Sequence, residues 1–411
     1  MTSQGLNEGA GTAVLVDGFD NGHHLTHLCN YARALLQQGY EVYEFLPDPS
    51  RVLSWFETHC PEHLSRLHLF AYSHPQVCSP SWRLKGIVEP LMLWRELAKR
   101  IRVALSDSSA GPVKLVYLLW LDDYIVGASR WAAWALPRVF PYRWSGLFFH
   151  PWHLRIPGGE SRWASLASEA MLQARNCVGV TVLDHGIRDQ LARNTGRPVL
   201  GFPDETDEVV SSQPSAFVAQ IRARAKGRKI VGLLGHLGKR KGVSALLQAA
   251  RSEGSENWLY VFAGELSGDQ RSSFDADTLS LLDDALAGQF DNILVIPERI
   301  EHEAEFNAVV MVCDVLYAAY EMFAHSSGIV TKAGVLEKPV LVSRGYYMQE
   351  VVEQYRLGLA IEAGHAAQVN PALAILGDAD AFMRSVGTPD YESFRAAHGV
   401  KALGPALARL L

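Results

Sequence analysis

Short apolar runs alternate with helix-period segments along nearly the whole chain, and this alternation restricts the fold more than any other feature. Residues 13–17 read as a buried strand, a loop runs from Gly18 to His24, a helix continues through Leu36, and residues 39–45 read as the next strand. This β-α-β order demands a mostly parallel sheet with helices on both faces. Further strands are expected at 113–119, 146–149 and 178–182. Residues 202–207, followed by the polar stretch 211–214, form the best linker candidate, and the alternation then restarts with strands at 230–234, 258–263, 293–296, 314–317 and 340–342. At 411 residues the chain exceeds what one core usually supports. The expectation is an α/β protein of two Rossmann-like, doubly wound domains, 1–205 and 206–388, facing across a cleft at their carboxyl strand ends, with a closing helical segment, 389–411, returning to the first domain.

Two strand-to-helix junctions in the second half have the chemistry of a phosphate cradle. The strand Ile230-Val231-Gly232-Leu233-Leu234 breaks into Gly235-His236-Leu237-Gly238-Lys239-Arg240-Lys241-Gly242 before helical periodicity resumes. Later, Ser326-Ser327-Gly328 opens a helix that carries Lys332. Backbone N–H groups at a helix start are unpaired and lie at the positive end of its dipole, so two such starts suggest a diphosphate held between them. Lys241, with His236 or Arg240, is suited to neutralise charge developing on a departing diphosphate, and the N–H groups around Ser327 and Gly328 complete the cradle. Arg299 joins these as a nucleotide-binding candidate. A solvated turn is the plainer reading of 239–241; phosphate binding is preferred because the turn follows a buried strand and opens a helix.

Net charge and cysteine usage exclude other classes. A formal net charge of −6 argues against a nucleic-acid binder. Five scattered cysteines, odd in number and without C-x-x-C spacing, read as reduced thiols in a cytoplasmic protein and imply no zinc site. The first eleven residues lack a signal-peptide pattern, and no apolar run reaches transmembrane length. Asp275-Ala276-Asp277 has the spelling of a metal claw, but its polar surroundings read as a surface loop, so no metal is expected.

The residues of the second half also resemble a known family. Gly235 to Gly242 with Leu246, Leu247 and Ala249; Val261-Phe262-Ala263-Gly264; Cys313-Asp314-Val315-Leu316; Glu321-Met322-Phe323; Ala333-Gly334-Val335 with Lys338-Pro339-Val340; and Glu350-Val351-Val352 with Gly358 follow the order and spacing of GT-B glycosyltransferases, most of all the retaining enzymes of family 4. In the first half, Gly146-Leu147-Phe148-Phe149-His150 resembles the family's strand that ends in a sugar-facing histidine. The resemblance implies a hexosyltransferase that uses a UDP- or GDP-type sugar donor, retains the anomeric configuration, and needs neither metal nor other cofactor. Two positions depart from the pattern. His236 stands where the family has arginine, and Lys332 stands where it has the glutamate that accepts hydrogen bonds from the nucleotide ribose, a role closed to an ammonium.

Candidates in the first half concern the acceptor, which the sequence leaves open among a small molecule, a glycan and a lipid-linked glycan. Gly22, in the loop Asp20-Asn21-Gly22-His23-His24, permits close approach to a phosphate or sugar. His24 has the chemistry of a base on an acceptor hydroxyl, oriented by Asp122 or Asp123, and this pair would make an inverting transferase; helix capping explains it equally well. His150 should emerge at the functional rim, and Glu321 and His325 flank the second junction, within reach of a donor sugar or of solvent. Between residues 82 and 102, Ile87, Leu91, Trp94, Ala98 and Ile101 share a helical face, Arg95, Lys99 and Arg102 fall elsewhere, and Trp120, Trp131, Trp134, Trp144, Trp152 and Trp163 follow; packing on the sheet is preferred to contact of this basic helix and its aromatics with an anionic membrane. A nucleotide- or sugar-binding protein without turnover is the alternative from outside enzymes.

Overall fold

The computed structural model describes residues 11–19, 24–75, 84–106, 111–125, 127–155, 169–213 and 215–411. The chain forms two compact units, the first running to Pro203 and including Val400–Leu411, the second spanning Asp204–Gly399.

In the first unit the strands β1 (Thr12–Val16), β2 (Glu41–Leu46), β3 (Leu67–Ala71), β4 (Val113–Leu118) and β5 (Trp144–Gly146) make a parallel sheet in the order β3-β2-β1-β4-β5. A separate parallel pair, β6 (Val180–Val182) and β7 (Val199–Gly201), adjoins β5 through bridges at Trp144–Cys177 and Leu147–Thr181. β1 is buried throughout because both faces of the sheet are covered, one by the core around Trp94 and Trp144, the other by that around Tyr31 and Phe56. β3 and β7 escape the sequence reading. Each is short and partly exposed, so neither shows the continuous apolar run of a buried strand.

The second unit repeats the plan with β8 (Lys229–Leu234), β9 (Trp258–Ala263), β10 (Ile293–Ile296), β11 (Val315–Ala318), β12 (Val340–Ser343) and β13 (Gly358–Ile361), all parallel, in the order β10-β9-β8-β11-β12-β13. In both sheets the strand order reverses beside the first strand, between β1 and β4 and between β8 and β11. Ligands of open α/β sheets bind outside the carboxyl ends of the strands at that reversal.

The closing segment does not leave as one piece at residue 389. The helix Tyr391–His398 stays in the second unit, where Phe394 fills the space over Gly334; a Cβ on that glycine would lie 2.2 Å from the ring. Only the tail joins the first unit, burying Leu403, Leu407 and Leu410 in the same core as Leu28 and Leu35, while Gln38 Nε2 donates to the Gly404 carbonyl at 3.1 Å. The helix Lys85–Ser106 spends Leu93, Trp94, Leu97, Ala98 and Ile101 on the core, so the apolar face weighed for a membrane is a packing face. Cys29, Cys60, Cys177 and Cys313 are buried free thiols, and Cys78 lies outside the described residues. Among the described residues no helix is long and apolar enough to cross a membrane.

Candidate functional site

The strongest constellation lies at the strand-order reversal of the second unit. β8 ends at Leu234, and after Gly235 the cationic stretch forms the single 3-10 turn Lys239–Lys241, closed by Gly242 in the left-handed region at φ 75° before the helix Val243–Ala250. Gly242 meets the end of β11: a Cβ there would lie 2.6 Å from the Ala319 carbonyl oxygen. The segment after β11 is laced to the turn. The Glu321 amide donates to the Arg240 carbonyl at 2.8 Å, the Arg240 guanidinium lies 4.6 Å from the centre of the Phe323 ring, and Lys241 Nζ donates to the Tyr320 hydroxyl at 2.9 Å.

Tyr320 joins both halves of the expected cradle. Its hydroxyl also accepts from Ser327 Oγ at 3.4 Å, and Ser327 caps the helix Gly328–Val335. One phenol oxygen thus links the ammonium of one junction to the helix start of the other, while its own proton remains for a third partner. Lys241 and Ser327 are thereby brought together through Tyr320, with Gly328 the first residue of the helix that Ser327 caps. Tyr320 was missed because it precedes Glu321 in an otherwise apolar run and carries no motif of its own.

Other expected members have different engagements. Ser326 Oγ donates to the buried Asp204 carboxylate, which also accepts from Thr331 Oγ1 at 3.2 Å. His236 is largely exposed, its Nδ1 lying 3.3 Å from Glu265 Oε2 and from Gln270 Nε2. Arg299 is exposed on the loop after β10, Glu321 is half-buried, and His325 is buried with its ring against Phe323. Lys332 requires a correction as a nucleotide-binding residue. It is 1% exposed, and Nζ donates to Thr206 Oγ1 at 2.9 Å, Glu303 Oε1 at 2.5 Å and Asn307 Oδ1 at 2.6 Å. All three N–H bonds of the ammonium are thereby used within the protein. Burial lowers its pKa, and Glu303 opposes that shift. Asp275 caps the helix Ala276–Leu286 by accepting from the Thr278 amide at 2.8 Å, so the Asp-Ala-Asp spelling marks a helix start rather than a loop.

The reversal point of the first unit carries a second constellation. Gly22 and His23 lie outside the described residues. His24 opens the helix His24–Gln37, and its Nδ1 lies 2.9 Å from Oδ2 of Asp17, the residue after β1. The aspartates proposed for His24 do other work. Asp122 accepts from the Phe149 and His150 amides at 2.8 and 2.9 Å and lies 3.2 Å from His150 Nδ1. Asp123 takes a hydrogen bond from the Trp120 side chain and interacts with His74. The correction is thus Asp17 for Asp122 or Asp123, and the available signal was an acid at a strand end seven residues before a histidine at a helix start.

Trp120 stands between the two histidines, its ring centre 5.1 Å from each of His24 and His150, and it stacks on Phe149 at 4.6 Å. Beside it lies a cavity of about 300 Å³, lined among the described residues by His74, Lys85, Glu89, Leu93, Asp123 and Tyr124. A Cβ on Gly18 would lie 3.3 Å from His74 Nδ1, so the cavity wall adjoins the residue next to Asp17. Burial raises the Asp123 pKa and lowers that of His74, each opposed by the other's charge. Burial therefore biases both groups toward their neutral forms.

No protein-family model matches the chain, and no curated protein sequence does. Solved structures do match. Sucrose-phosphate synthase from Thermosynechococcus elongatus superposes with a TM-score of 0.67 at 15% identity, covering 97% of this chain and 98% of that one. HepE of Anabaena, in complex with UDP and glucose, gives 0.65 at 12% identity over 97% and 98%. A putative UDP-N-acetylglucosamine 2-epimerase from Listeria monocytogenes gives 0.60 at 12% over 97% and 95%. The chain has the two-Rossmann-domain GT-B fold, in agreement with the strand orders of both units. At such identities the likeness carries the fold and no residue's role.

Proposed function

We propose that the chain is a glycosyltransferase that moves a hexosyl group from a UDP- or GDP-type nucleoside diphosphate to an acceptor hydroxyl, in the cytoplasm and without a resident metal or other cofactor. The observation that carries the reading is the bridge from Lys241 through the Tyr320 hydroxyl to Ser327 at the helix start. As the bond from the anomeric carbon to the diphosphate oxygen breaks, the electron pair leaves with the oxygen. Lys241, the Tyr320 hydroxyl and the N–H groups at the start of Gly328–Val335 are the groups that meet the resulting charge. Crystallised complexes of the similarly folded HepE with UDP and with UDP-glucose support a UDP-type donor. The acceptor site we assign to the first unit, in the cavity whose wall residue His74 abuts Gly18, the residue next to Asp17, and where the carboxyl groups of Asp123 and Glu89 suit hydroxyl donors.

Two stereochemical courses assign His24 different work. Retention is what the resemblance of the second half to family 4 implies; there the departing phosphate takes the acceptor proton and His24 only orients the hydroxyl. Inversion is favoured by the Asp17–His24 pair, in which the carboxylate fixes the ring so that Nε2 accepts that proton. Donor turnover across UDP- and GDP-hexoses, with the product's anomeric configuration read by NMR, tests the reading. Retention predicts that His24→Ala keeps a substantial part of the rate and the donor's configuration. A loss of about a thousandfold with inverted product would establish the second course, and nucleotide binding without turnover of any donor would mark a binding protein.

A further inference from the structure

Two tryptophans stand in solvent on the first unit. On the helix Arg130–Val139, Ala132, Ala133 and Leu136 face the core, while Trp131 and Trp134 are 69% and 62% exposed. With 3.6 residues per turn, Arg130, Trp131, Trp134 and Arg138 share the opposite face, and the Arg138 guanidinium lies 4.1 Å from the centre of the Trp134 ring. The helix carries no acid. Alongside packs the helix Lys85–Ser106, whose exposed residues include Met92, Val103, Arg95, Lys99 and Arg102. Together the two helices hold seven basic and two acidic side chains in a chain whose formal net charge is −6.

We propose that this face is a docking surface for an anionic lipid bilayer, with Trp131 and Trp134 seated at the headgroup level and Arg130 and Arg138 on lipid phosphates. An indole has an apolar body and a single N–H donor, which suits the boundary between acyl chains and headgroups, and guanidinium groups beside it add attraction to anionic lipid. Charge complementarity selects this occupant: the patch is cationic where the rest of the molecule is acidic. Single-stranded nucleic acid also stacks on aromatics, but between the walls of a groove, whereas this stripe lies on the outward side of a helix. The sequence reading weighed the helix of residues 82–102 beside these tryptophans for such contact; that helix spends its apolar residues on the core, and Trp131 and Trp134 remain exposed.

Co-sedimentation of the full chain with vesicles tests the proposal. The protein should pellet with phosphatidylcholine–phosphatidylserine vesicles, much less with phosphatidylcholine alone, and progressively less as salt rises. Trp131→Ala with Trp134→Ala should lower the partition coefficient about tenfold or more, and Arg130→Gln or Arg138→Gln about fivefold each. Thermal midpoints should stay unchanged in all three variants, because the substituted side chains are exposed. The proposal is overturned if the wild type does not bind anionic vesicles, binds neutral ones equally, or is unaffected by the tryptophan substitutions. Preferential binding of a single-stranded oligonucleotide, or a dimer that dissociates when the tryptophans are replaced, would likewise overturn it.

Discussion

Lys332 has three N–H donors, and the second unit supplies three oxygen acceptors from two segments, Thr206 from one and Glu303 and Asn307 from the helix Glu303–Val312. Replacing it with methionine should strand those acceptors and cost roughly 3 kcal/mol, the scale for removing one partner of a buried ion pair; the shift of a denaturant midpoint measures it. A residue serving the nucleotide directly would instead lower affinity and leave stability intact. Glu44 is the converse case. It is fully buried in β2, and neither carboxyl oxygen has a hydrogen-bond partner among the described residues. Burial, reinforced by the Asp17 charge, raises its pKa well above 4.5. The folded state therefore keeps a proton that the unfolded state releases, so this stabilisation is complete below pH 4.5 and declines as pH rises toward the folded value. Glu44→Gln should lose that dependence, and its stability relative to wild type should grow with pH across that window in thermal melts. Neither environment was legible in the sequence. The partners of Lys332 lie 126, 29 and 25 residues away, and Glu44 sits in a strand whose alternation does not reveal that both faces are covered.

The element that most clearly joins sequence to site is β8 with its turn and following helix. Its strand was legible because Ile230 to Leu234 are all buried, and the turn because three cations and two glycines interrupt the apolar pattern. The contact with the segment after β11 was not, since Tyr320 lies 79 residues from Lys241. Gly242 holds the two elements together, being both left-handed and too close to Ala319 for a side chain. Gly242→Ala should therefore cost about 2 kcal/mol or more, from backbone strain and the displaced carbonyl. It should also weaken nucleoside-diphosphate binding, because the Lys241–Tyr320 contact depends on that approach; calorimetric unfolding and nucleotide titration read the two effects separately. Short edge strands such as β3 and β13 were illegible for a different reason. β13 opens on Gly358, where a Cβ would lie 1.8 Å from the Val340 carbonyl oxygen, so close backbone packing replaces the side-chain pattern that marks a strand.

Across the whole molecule, both units use one strand order around one reversal, and each sets its polar constellation after the two strands that flank it. The doubly wound class was legible because that order leaves strands buried on both faces. The division of the closing segment was not, because Phe394 and Leu403 are equally apolar and only the fold assigns them to different cores. The central claim is that the reversal point of the second unit holds a nucleoside diphosphate through Lys241. Titration calorimetry of UDP and GDP, with UMP as the control for the second phosphate, tests it on the wild type and on Lys241→Ala. The account predicts that a diphosphate binds more tightly than the monophosphate and loses about a hundredfold in affinity in the variant, the scale of a charge-assisted contact to phosphate. Failure of both diphosphates to bind the wild type, or equal affinity in the variant, would contradict it.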